Sequence, residues 1–92
     1  MVRSVEYDGE DRQVDFEFKG NVKWSGDPEV SIERNGKEYS RGIIERDNDG
    51  LEVSVKRLDY GAKYSYKITG VASADGGSYK TVKGSFRAYG DD

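Results

Sequence analysis

The chain has no cysteine, no histidine and a single proline, Pro28, in 92 residues. Without cysteine there is neither a disulfide framework nor a thiolate metal site. Without histidine the chain lacks the commonest general base, the usual partner of a serine or cysteine nucleophile, and the commonest transition-metal ligand. No apolar run approaches the roughly 18 residues a membrane helix needs, so no membrane insertion is expected. A basic block is missing too. Net charge is −3, with Lys and Arg scattered on alternate positions, which argues against the counterion-displacing patch of a nucleic-acid binder. Met1-Val2-Arg3 runs straight into charged sequence with no signal-peptide pattern. The expectation is a module of a longer secreted chain, with a start methionine added.

What the chain has is alternation. Only 34% of residues are apolar and 36% are charged, a balance that would read as disorder if the charges came in blocks. Here they alternate with Val, Ile, Phe and Tyr, the pattern of strands with one wet face. A length of 92 residues makes one domain over 1–92, because either half would be too small to bury a core. Its expected stability is about 5–14 kcal/mol.

Period-two segments follow one another along the chain. A weakly marked strand covers Ser4 to Tyr7, and Gln13 to Lys19 sets Val14, Phe16 and Phe18 against Asp15 and Glu17. After Gly20-Asn21 comes a short segment with Val22 and Trp24, then a loop at Ser25-Gly26-Asp27-Pro28. Glu29 to Arg34 leads into Asn35-Gly36, a two-residue hairpin signal because a type I′ turn needs positive φ at both positions. Glu38 to Glu45 is expected to return as its partner. Asp47-Asn48-Asp49-Gly50 turns into Leu51, Val53 and Val55, and the chain reaches a corner at Leu58. Ala62 to Val71 and Tyr79 to Ala88 close the domain around the loop Ala74 to Ser78. Short strands with turns about every 8–12 residues predict an antiparallel sandwich or barrel. The predicted core is Val14, Phe16, Phe18, Trp24, Val30, Ile32, Leu51, Val53, Val55 and Leu58, with Tyr64, Tyr66, Ile68, Val82 and Phe86.

Leu58-Asp-Tyr-Gly61-Ala-Lys-Tyr64 places a tyrosine just after a tight turn. In Greek-key sandwiches such a tyrosine ties the turn down through its hydroxyl, the tyrosine corner. Together with Val14-Asp-Phe16-Glu-Phe18, the hairpin Val30 to Tyr39, Leu51 to Val55, Lys67 to Val71, Asp75-Gly76-Gly77 and Gly84-Ser85-Phe86, this order resembles the bacterial immunoglobulin-like modules of secreted and surface-layer proteins. It is more distantly similar to fibronectin type III domains. The resemblance runs over about residues 4–89. It implies an all-β, immunoglobulin-like antiparallel β-sandwich of seven or eight strands with Greek-key connections. It also implies a non-catalytic spacer or adhesion role at the cell surface or in a secreted protein, beside neighbouring domains of the same chain.

The residues raise four candidate chemistries. Read as a calcium loop, Glu45, Asp47 and Asp49 fall at positions 1, 3 and 5 with Gly50 at 6, but Lys56 stands at 12, where a bidentate Glu belongs; Asp and Asn before Gly are equally what a tight turn selects. Lys83-Gly84-Ser85-Phe86 fails as an RNA-recognition strand because serine follows the glycine. Asp15 with Glu17, or Glu6 with Glu10, are carboxylate pairs of the kind glycosidases use, but acids alternating with apolar residues are the normal solvent face of a strand. Seven tyrosines and one tryptophan are the least ordinary feature, and Tyr7, Tyr39, Tyr60, Tyr79 and Tyr89 have no core assignment by periodicity. Exposed in a row, they would stack on sugar rings or anchor a protein. The expectation is therefore a monomeric, non-enzymatic spacer or adhesion module without cofactor, with a polysaccharide-binding module as the alternative. Clustered tyrosines favour sugar and scattered ones a spacer; a long uncharged edge strand favours addition of a partner's strand.

Overall fold

The alternation resolves into eight strands in a computed structural model that describes residues 1–89; positions 90–92 of the expected 1–92 domain lie outside the described residues. They are β1 (Val2–Asp8), β2 (Gln13–Phe18), β3 (Val22–Arg34), β4 (Lys37–Glu38), β5 (Ser40–Arg46), β6 (Gly50–Val55), β7 (Lys63–Ser73) and β8 (Lys80–Arg87). Two four-stranded sheets form, β1-β2-β6-β5 and β4-β3-β7-β8, and every pairing is antiparallel. The molecule is an all-β sandwich.

The inward faces interdigitate as the alternation requires. Val14, Phe16 and Phe18 of β2 and Leu51, Val53 and Val55 of β6 meet Ile32 of β3 and Tyr64, Tyr66 and Ile68 of β7, all buried. Phe16 meets Tyr66 edge-on at 5.1 Å across the two layers, and within one sheet Tyr64 stacks on its β8 partner Phe86 at 5.9 Å. The structure adds Tyr7, Val22, Val71, Ala72 and Ala88 to the core. Trp24, Val30 and Val82, expected inside, are only partly buried and pack against it. Val30 and Val82 flank the fully buried Ile68 across the sheet. Val82 sits on the edge strand β8, and β3 is covered by β4 only at Glu33 and Arg34, so among the described residues neither valine has a paired strand on its far side.

Two further expectations are corrected. The loop at Ser25 to Pro28 is a bulge inside β3: pairing moves from Trp24 to Glu29 on β3 while β7 moves only from Val71 to Thr69. Pro28 has no N–H to give the ladder, which makes this the place where pairing yields. Gly70 lies opposite with φ +76°, and Pro28 packs close against it. The return strand after Asn35-Gly36 is also much shorter than expected. The turn itself is as predicted, with φ of 54° at Asn35 and 77° at Gly36, but only Lys37 and Glu38 pair with β3. The chain then crosses to the other sheet, where β5 pairs with β6.

Glu38 holds that crossing. Its carboxylate accepts from the backbone N–H groups of Ile32 and Ser40, each at 3.0 Å, and from the hydroxyls of Ser31 and Ser40. Partial burial pushes the Glu38 carboxyl up, but these hydrogen bonds outweigh it and hold the group below its usual range.

Candidate functional site

The corner after β6 is pinned twice. The Tyr64 hydroxyl accepts from Asp59 N–H at 2.7 Å, the bond expected of a tyrosine corner. The Tyr7 hydroxyl, arriving from β1, accepts from the neighbouring Leu58 N–H at 3.1 Å. Gly61 takes φ +83° to turn the chain, and its N–H donates to Ala88 O at 2.8 Å. Both pinning tyrosines are buried, so their role is to build the fold. Tyr39 is half-buried, edge-on to Tyr64 at 5.2 Å.

The remaining unassigned tyrosines divide between the two ends of the sandwich. Tyr60 and Tyr89, 68% and 56% exposed, form an edge-to-face pair at 5.6 Å beside the start of β7. Tyr79, also exposed, lies at the far end of β7, where its hydroxyl donates to Trp24 O at 3.2 Å and Lys23 stands over its ring. Among the described residues no flat row of rings forms: the Tyr60 and Tyr89 planes meet at 77°, so the pair offers a sugar no common stacking surface.

The turn Asp47 to Gly50 is a docked turn. Its three successive carbonyls are taken by the protein itself: Trp24 Nε1 donates to Asp47 O, Val22 N–H to Asn48 O and Phe18 N–H to Asp49 O. Of the residues in the calcium reading, Glu45 and Asp47 come together, joined by Glu52 in place of Asp49, with one oxygen of each within 4.8 Å of the others. A hydrogen bond to Asp47, then the charges of Asp47 and Glu52, raise the Glu45 carboxyl above its usual range. Glu52 continues a row that period-two reading of single strands did not reveal. Glu6 pairs with Asp15, Asp15 with Glu52 and Glu52 with Glu45, so four acids line up across the whole outer face of one sheet. Gln13 bridges two of them, its amide donating to Asp15 at 2.8 Å and Glu52 at 3.2 Å. A shallow groove runs over this face. It lies open to solvent, so neither Asp15 with Glu17 nor Glu6 has the enclosed cleft in which a carboxyl is kept protonated for glycoside cleavage. Glu10 lies apart in the β1–β2 turn.

Phe86, the aromatic of the RNA-like stretch, points into the core, whereas base stacking needs it on the open face. The edge strands are all charged or short. β8 carries Lys80, Lys83 and Arg87; β1 carries Arg3, Glu6 and Asp8; β4 has two residues; and β5 is twice bulged, with Arg41, Glu45 and Arg46 around the exposed Ile44. No known protein family, curated protein or solved structure matches this chain.

Proposed function

We propose that the domain is an immunoglobulin-like, Greek-key module that acts as a non-catalytic spacer or adhesion unit in a larger bacterial secreted or surface protein. The strand order, the change of sheet after Glu38 and the Tyr64 corner support the immunoglobulin-like reading. The bacterial and extracellular setting rests on the sequence resemblance alone.

One observation carries the spacer reading: β1 starts at one end of the sandwich and β8 finishes at the other. Met1 O accepts from Lys19 N–H, in the group that also holds Ser73 at the end of β7. Ala88 exchanges hydrogen bonds with Gly61 and Ala62 at the start of β7. The 11 residues of β7 separate the two points by roughly 33 Å. Neighbours joined at these points are held apart by the full length of a rigid body. Copies fused in series and measured by small-angle X-ray scattering should lengthen the particle by about one domain per copy, the domain being 37 Å in its longest dimension. A particle that folds back on itself without lengthening would refute the spacer. The carbohydrate alternative draws on Tyr60 and Tyr89, and amide shifts confined to that pair on titration with cell-wall polysaccharides would establish it.

A further inference from the structure

One outer face of the sandwich carries a row of acids, and the other a strip of bases. On one, Glu6, Asp15, Glu52 and Glu45 stand directly opposite one another from strand to strand. Like charges so placed repel, and among the described residues no lysine or arginine lies within ion-pair distance of any of the four. On β1, Arg3 reaches Glu17 at 3.9 Å instead. On the other face, β7 and β8 set Lys63 opposite Arg87 and Lys67 opposite Lys83, with Ser65 opposite Ser85 between them. All four cations are exposed, and none has a carboxylate within ion-pair distance among the described residues. The β3 side of that face carries Glu29 and Glu33, so the positive strip is confined to β7 and β8.

We propose that each face is the docking surface for the other on a second copy of this chain. The dimensions agree. Three strand-to-strand steps make the acid row roughly 14 Å long, and four residues along β7 make the basic strip roughly 13 Å long. The row runs across its strands and the strip runs along them, so the two superpose when the facing sheets cross near a right angle. The contact is heterologous: each copy offers both halves, on opposite sides, and docking propagates into a stack. Exposed ion pairs of this kind are weak and screened by salt. Separate copies therefore stay single in dilute solution and meet only near millimolar concentration. Copies crowded on one surface sit at such effective concentrations. The inference uses the charged faces alone and stands apart from the spacer reading.

Two variants test it, both altering only partly or fully exposed side chains, with retained folding checked by the unfolding midpoint. Asp15→Lys/Glu52→Lys turns the acid row basic; Lys67→Glu/Lys83→Glu turns the strip acidic. Sedimentation and amide shifts are followed from dilute to about millimolar protein at low and high salt. The unsubstituted domain should associate at low salt and dissociate at high salt, with shifts on both faces. Each variant alone should remain single, and an equimolar mixture of the two should associate again. The proposal is overturned if the unsubstituted domain stays single at low salt, if association survives either variant, or if the mixture fails to restore it. Capture of an anionic polymer such as polyglutamate by the Lys67/Lys83 strip, without self-association, also overturns it and gives the strip a different partner.

Discussion

The double pin at the corner makes the sharpest stability prediction. Tyr64→Phe keeps the ring, and with it the contacts to Tyr39, Phe86 and the Arg34 guanidinium. Only the hydroxyl goes, and Asp59 N–H loses its acceptor. Tyr7→Phe does the same to Leu58 N–H. A net hydrogen bond is worth about 1 kcal/mol, and an orphaned buried donor costs about 1–3 kcal/mol. Asp59 is exposed while Leu58 is buried, so water can rescue the first N–H and not the second. Tyr64→Phe should therefore cost about 1–2 kcal/mol and Tyr7→Phe about 2–3 kcal/mol. The two donors belong to one segment, and with both hydroxyls gone that segment can swing into water and relieve both penalties. The double variant should then cost less than the two singles added. Urea unfolding with an unchanged slope gives the values directly, and each kcal/mol should appear as about 4–8 °C in Tm. An unchanged midpoint for Tyr64→Phe would show that the corner bond does not hold the fold. Strict additivity would show that the pins do not share a segment.

Other perturbations have equally definite outcomes. Gly70→Ala forces a methyl onto a residue at φ +76°, running into Ser25 Oγ and lying 3.0 Å from Pro28 Cα; the expected loss is about 2–4 kcal/mol in a chemical unfolding curve. Glu38→Ala leaves Ile32 N–H without its carboxylate and should cost about 1–2 kcal/mol, the exposure of Glu38 keeping it at the low end. The sign of its pH dependence follows from the lowered carboxyl: its contribution is complete at neutral pH and lost as pH falls through its folded-state pKa. Glu38→Gln should therefore unfold with a flatter acid-side stability profile. Glu45 acts in the opposite sense: its raised carboxyl means that the fold gains as pH falls through the folded-state pKa. Glu45→Gln should raise the unfolding midpoint at neutral pH and remove that gain, and a lowered midpoint would contradict the repulsion.

Alternation within a strand was enough to place most of the core, because Val14, Phe16 and Phe18, or Tyr64, Tyr66 and Ile68, share a face by spacing alone. Tyr64 was legible for the same local reason: turn, glycine and tyrosine lie within a few residues of one another. Tyr7 was not legible as a core residue. Its strand is weakly marked by alternation, and its partner is Leu58, 51 positions away, a distance at which no local signal names a partner. Trp24 failed as a core residue because its indole N–H needs an acceptor, and the one it finds, Asp47 O, sits at the end of the sandwich.

The length of the return strand after Asn35-Gly36 was not legible, for a reason that also explains the candidate surfaces. The turn chemistry fixes where a hairpin starts, whereas where it stops depends on which sheet the next residues join. Here Glu38 decides it, by filling with its own carboxylate the donors of Ile32 and Ser40. Once β5 has moved to the other sheet, Glu45 comes to lie beside Glu52, and an ordinary wet face on each strand becomes an unbroken row of acids on the sheet. The same holds for Lys67 and Lys83, unremarkable on their own strands and adjacent only through the β7–β8 register. Charge patterns that bear on partners are thus a property of register. They emerge when strands pair, which is why scattered Lys and Glu in the sequence gave no hint of two opposed faces.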